Sequence, residues 1–195
     1  QAGFISEAGE LRGLIDLVPQ KQVEIQPFTV VQYDSYPAET ENPYRDGSDF
    51  KINGGLDAKI GITNDLTLDL TINPDFGQVE ADPGAIALDG FQIFFNEQRP
   101  FFVENKNIFD FKFGNGRDNL FYSRRIGRNP HRNASLGVGE YAKEPINSTI
   151  LGAAKFSGKT QNGWSIGILE SLTANEYAEV RETNGGSRQE IVEPL

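Results

Sequence analysis

The chain has 195 residues, with 28 Asp and Glu against 18 Lys and Arg, for a net charge of −10. That balance argues against a nucleic-acid binder, which needs a basic face to meet phosphates. The absence of Cys excludes disulfides, thiolate metal sites and a cysteine nucleophile.

The length fits one domain. No apolar run approaches the roughly 18 residues of a spanning helix, which excludes helical spans only, because membrane β-barrels leave no such run. The chain starts at Gln1 and has no Met. It therefore reads as a processed product or an internal segment, from which any signal peptide would already be absent.

Residues 1–20 mix Leu11, Leu14, Ile15, Leu17 and Val18 with Gly9 and Gly13, and read as an extended lead-in. Lys21 to Tyr33 (KQVEIQPFTVVQY) is β-branched and aromatic, hence a strand, with Pro27 marking an edge or a break. Ser35 to Ser48 is rich in Pro, Glu, Asn and Gly, a polar loop.

The clearest pattern follows. Ile52, Gly54, Leu56, Ala58, Ile60 and Ile62 alternate with Lys51, Asn53, Gly55, Asp57, Lys59 and Gly61. After Thr63-Asn64-Asp65, the residues Leu66, Leu68, Leu70 and Ile72 alternate with Thr67, Asp69, Thr71 and Asn73. A period of two gives each strand one apolar and one polar face, and the short turn makes an antiparallel hairpin.

From Asp75 the pattern changes. The carboxylates Asp75, Glu80, Asp82, Glu97 and Glu104 lie among Arg99, Arg124, Arg125 and Arg128. Paired carboxylates at suitable separation hydrolyse glycosides, and oxygen-rich clusters hold Ca²⁺. Arginine forks instead tie carboxylates into a structural network. The abundance of Arg favours that network, which leaves the five carboxylates as secondary catalytic candidates. No metal or cofactor is expected, and calcium stays a lesser alternative because Glu80-Ala81-Asp82 only partly echoes a calcium loop. Phe91, Phe94, Phe95, Phe101 and Phe102 form an aromatic cluster, joined by Phe109, Phe111 and Phe113, that reads as the core of a small insert rather than a ligand platform. Asp89 to Gln98 fits one short helix capped by Asp89.

Residues 119–127 read as a strand. His131 is the only histidine; a Ser-His-Asp triad would need it beside Ser123 or Ser135, and no nucleophile elbow is present. Gly114-Asn115-Gly116 is a turn without the Lys-Ser/Thr of a phosphate loop.

A second hairpin repeats the alternation. Ile150, Gly152, Ala154, Phe156 and Gly158 share one face, and Leu151, Ala153, Lys155 and Ser157 the other. Lys159 to Gly163 turns through Asn-Gly, and the return strand sends Trp164, Ile166 and Ile168 outward and Ser165, Gly167 and Ser171 inward. A further strand starts near Glu176, and the ending Glu193-Pro194-Leu195 has the look of a truncation.

Two settings make strands alternate in this way. In a soluble β-sandwich the apolar face packs on a second sheet; in an outer-membrane barrel it meets lipid while the polar face lines the lumen. Strands of about 9–11 residues, short turns alternating with long connections, and full charges on the polar face favour the barrel.

The segments GLDAKIGIT (55–63), LTLDLTINPDFGQVEADP (66–83), FFNEQRPFFVEN (94–105), LFYSRRIGR (120–128) and LGAAKFSGKTQNGWSIGIL (151–169) together resemble a group of large bacterial outer-membrane proteins. Members pair an N-terminal carbohydrate-binding-family-9-like sandwich with a C-terminal β-barrel domain of unassigned function, and some carry the label of putative membrane-associated hydrolases. Glu104-Asn105 stands where the family usually has Glu-Gly, and Glu97-Gln98-Arg99-Pro100 where it has acid-Lys-Arg-Pro.

The expected fold is thus all-β: a segment of an antiparallel transmembrane β-barrel with a long, mostly irregular insert. Residues 1–49 form the lead-in, first strand and polar loop. Residues 50–195 form the partial barrel, with 75–118 as a plug-like insert in the lumen. The expected location is the cell outer membrane. Expected partners are outer-membrane lipid, further strands of the same protein or other envelope proteins, and a glycan. The function expected is support of envelope transport or assembly, or display of a glycan-binding domain. The alternatives are an outer-membrane carbohydrate-active hydrolase and a soluble carbohydrate-binding sandwich.

Overall fold

The computed structural model describes residues 9, 12–13, 22–74, 96–113 and 118–194. The expected helix over 89–98 and most of the lead-in fall largely outside the described residues. So do Asp75, Glu80, Asp82, Phe91, Phe94 and Phe95.

A five-stranded antiparallel sheet has the order β1-β2-β3-β7-β8. β1 spans Val23–Ser35, β2 Ser48–Gly61, β3 Leu66–Ile72, β7 Ile150–Lys159 and β8 Ser165–Thr173. Among the described residues, β1 and β8 are its open edges. The β1–β2 hairpin runs in register from Val23 opposite Ile60 to Ser35 opposite Ser48, and its polar loop closes through Tyr36 N–H donating to the Gly47 carbonyl at 3.0 Å. At the tight end of β2–β3, the Thr63 hydroxyl accepts from the backbone N–H of Leu66 at 3.1 Å. At the β7–β8 turn, Gly163 takes φ 86°, a conformation that favours glycine.

The excursion between β3 and β7 carries a short helix, α1 (Pro100–Val103), 3-10 turns at Lys106–Ile108 and Ser123–Arg125, and the two-residue strands β4 (Lys112–Phe113) and β5 (Asp118–Asn119). It ends in β6 (Tyr141–Lys143), which joins β9 (Glu176–Arg181) and β10 (Ser187–Glu193) in a second sheet ordered β10-β9-β6.

Register makes the faces of the large sheet continuous. Ile60, Leu68, Phe156 and Ile168 stand opposite one another in turn across β2, β3, β7 and β8. One residue away, Lys59, Asp69 and Lys155 do the same on the other face. The apolar face is the uncovered one: Ile52 is 65% exposed and Ile168 62%, with Val23, Ile25, Val31, Ile72 and Leu172 also exposed. The polar face is covered over β3 and β7, where Lys155 is 1% exposed, Ser157 0% and Thr71 2%, while Glu24, Gln26, Lys51 and Asn53 on β1 and β2 stay exposed. The small apolar core of Phe101, Phe102, Ile150 and Ala153, flanked by Ile126 and Leu169, lies on that covered side, between sheet and insert.

Two local expectations are corrected. Ile150 does not share a face with Gly152. A bulge between Ile150 and Gly152 adds a residue to β7 and turns Ile150 into the core, fully buried. Residues 119–127 do not form one strand. The carbonyls of Ser123 and Ile126 accept hydrogen bonds from the Arg99 guanidinium, each at 2.9 Å, so this stretch folds around Arg99 rather than into a ladder.

Candidate functional site on the polar face

The insert is built around Glu97 and Arg99. Arg99 Nε and Nη2 donate to the two carboxylate oxygens of Glu97, both at 2.8 Å, and the Ser123 hydroxyl donates to Glu97 Oε2 at 2.5 Å. The Arg99 guanidinium also lies 4.1 Å from the centre of the Phe102 ring. Burial by itself pushes the Glu97 carboxyl up; hydrogen bonds from Arg99 and Ser123, with the Arg99 charge, outweigh it and hold the group below its ordinary value. Arg124 donates to the Asn96 carbonyl at 2.7 Å.

Pro100 starts α1, where its missing N–H costs nothing. The helix presents Phe101 and Phe102 to the sheet as a T-shaped pair, 4.9 Å between centres. Its C-terminal end meets Lys155. The ammonium donates to the carbonyls of Phe101 and Glu104, the latter at 2.9 Å, and stands 3.2 Å from Asp69 Oδ2. That oxygen has no aligned hydrogen bond, so we read the Asp69–Lys155 attraction as Coulombic. A cation at a helix C-terminus also meets the negative end of the backbone dipole. Lys59 pairs with the Glu104 carboxylate. Asn105, at φ 53°, donates from its side chain to the Ser157 hydroxyl at 2.9 Å. Thr71 donates to Asp57 at 2.6 Å.

The structure thus brings Glu97, Arg99, Glu104, Phe101 and Phe102 onto one patch of the sheet. Both described carboxylate candidates, Glu97 and Glu104, are held by cations, which suits a structural role better than proton transfer. Among the described residues, no three His, Asp or Glu converge as a metal site. His131 Nδ1 lies 2.6 Å from Glu193 of β10, while Ser123 is engaged with Glu97, so no triad assembles. Sequence reasoning passed over Lys59, Asp69 and Lys155 as docking residues. Their one available signal was that each charge falls on the polar face of its strand at the same register level.

A second feature opens beyond this patch. A cleft of about 960 Å³ lies between the β1–β2 hairpin with its loop and the stretch from β6 to β9. Its lining includes Gln32, Tyr44, Asn53, Asn73 and Tyr177. In the second sheet, Arg188 forks onto Glu140 at 2.8 and 2.9 Å. That bond lowers the Glu140 pKa to about 2.

Compared with known families, residues 20–195 match the domain of unknown function DUF5916. The chain belongs to that family. No curated protein and no solved structure matches it. The all-β antiparallel architecture is therefore established for this DUF5916 chain from its own strands and their register.

Proposed function

We propose that this DUF5916 chain is a wall segment of an outer-membrane β-barrel, with the insert around Arg99 docked on the lumenal side. One observation carries the reading: over β3 and β7 the sheet covers its charged face with its own chain, and it leaves its apolar face bare. In water that arrangement exposes Val23, Ile25, Ile52, Ile168 and Leu172 at a cost, which acyl chains would remove; Glu170, exposed opposite Ala154 on the same face, is a charge that such a wall would have to place near its rim. The dimensions agree. Phe50 to Ile62 covers roughly 40 Å of strand at about 3.3 Å per residue, and a tilt of about 40° reduces this to about 30 Å, close to an apolar band of about 25 Å. Exposed aromatics, Tyr33 and Phe50 at one end and Trp164 at the other, stand where interfacial girdles belong. The open edges of β1 and β8 then pair with further strands of the same protein or a partner, since a membrane barrel leaves none unpaired.

The role we assign is envelope transport or assembly, with the insert narrowing the lumen, or display of a glycan-binding domain at the surface. The hydrolase alternative has no unpaired carboxylate among the described candidates. The test is fractionation of cells that express the protein, followed by a urea wash. The protein is expected to sediment with outer membranes and to resist urea. Recovery in the soluble fraction would contradict the reading.

A further inference from the structure

We infer that the 960 Å³ cleft between the β1–β2 loop and the stretch from β6 to β9 is a binding site for a neutral oligosaccharide. Its volume is at the upper end of the range of about 300–1,000 Å³ usual for ligand sites, which is room for several sugar rings.

The division of labour among the lining side chains selects the ligand class. Most of the charged groups are already engaged; Glu179 of the lining has no partner among the described residues. Arg45 pairs with Glu39 at 3.0 Å and lies over the Tyr36 ring. Lys51 and Lys143 both approach Asp49, at 3.7 and 3.9 Å. Glu144 accepts from Ala134 N–H at 2.7 Å and Glu176 from Thr149 N–H at 2.6 Å. An anionic ligand would have to displace the carboxylates from these cations and approach Glu179.

Several neutral groups are also left over. Among the described residues, the Tyr44 and Tyr177 hydroxyls have no hydrogen-bond partner. Asn53 uses its carbonyl oxygen to accept from Asn73 at 2.6 Å and keeps its own amide N–H groups unused. Gln32 spends its amide N–H on Asp34 and keeps its carbonyl oxygen. Unused donors and acceptors thus share the cleft lining with Tyr44 and Tyr177. Vicinal hydroxyls, each donor and acceptor, match such a set, and the C–H faces of pyranose rings match the tyrosine faces. The site stands on the cleft alone and does not require the membrane reading.

The experiment is isothermal titration of the detergent-solubilised protein with four neutral hexaoses: maltohexaose, cellohexaose, xylohexaose and chitohexaose. Hexagalacturonate serves as the charged control. The comparison variant is Tyr44→Phe/Tyr177→Phe, which removes two hydroxyls and keeps both rings. At least one neutral hexaose is expected to bind with a Kd below about 1 mM, about tenfold weaker in the variant because two hydrogen bonds are lost. Near-ultraviolet circular dichroism of the variant should match the parent. Absence of binding by all four sugars at about 10 mM, equal affinity in the variant, or tighter binding of hexagalacturonate would each overturn the assignment. None of these results bears on whether the protein sediments with outer membranes.

Discussion

Lys155 and Asp69 face each other across the β3–β7 pair, with Nζ 3.2 Å from Oδ2, and both side chains are almost wholly buried beneath the insert. This pair joins sheet to insert, because the same ammonium also takes the carbonyls at the end of α1. Breaking one side of a buried ion pair strands the other charge. Lys155→Met is therefore expected to destabilise the protein by about 3–5 kcal/mol. Lys155→Met/Asp69→Leu should be less damaging than the single change, since no charge is then stranded. Denaturant unfolding of the two variants checks the order; a double variant worse than the single one would contradict it.

The Glu97–Arg99 fork gives a pH dependence with a definite sign. The folded-state pKa of Glu97 lies below its ordinary 4.5. Such a group contributes stability that is fully present above the unfolded value and is lost as pH falls through the folded one. Protease resistance of the insert should stay level from neutral pH down to about 4.5 and fall below it. Glu97→Gln should remove that acid limb and lower resistance at neutral pH, because Arg99 keeps its charge and loses its fork. A resistance profile that begins to fall near pH 6 would point to another group.

Gly167 sets a steric test of insert docking. A Cβ there would lie 2.6 Å from Ile108 and 2.9 Å from Phe109, so the 3-10 turn at Lys106–Ile108 sits directly against the β8 backbone. Chain entropy alone would make Gly167→Ala mildly stabilising. Overpacking opposes it at about 1–3 kcal/mol and is expected to win, because the near atoms belong to packed side chains. A thermal shift of the variant decides the sign; a raised Tm would show that the insert yields freely.

The hairpins were legible from residues alone. Strict alternation over Lys51–Ile62 and Leu66–Asn73 excludes odd slips, the short turn at Thr63-Asn64-Asp65 selects among the even ones, and the structure keeps like faces together with Ile60 opposite Leu68. The position of Ile150 was not legible. A bulge is one inserted residue, and Leu151 carries no turn chemistry to announce it. Residues 119–127 misled for another reason: the apolar and aromatic run Leu120-Phe121-Tyr122 has strand propensity, but carbonyls further along serve Arg99, a contact across 24 residues to Ser123. Glu104 was matched to arginines by composition, yet its partner is Lys59 of β2, 45 positions away. Period-two patterns report a face; they do not report which chain segment covers it.

The lipid-facing surface can be tested most directly at Ile168 on the bare face and Lys51 at the cleft. The chain has no native Cys, so single nitroxide labels at Ile168→Cys and Lys51→Cys report only those sites. In the protein reconstituted into bilayers, the label at position 168 is expected to collide freely with dissolved oxygen and be shielded from a water-soluble nickel chelate, with the reverse at position 51. Equal access of the nickel chelate to both labels would contradict the membrane wall.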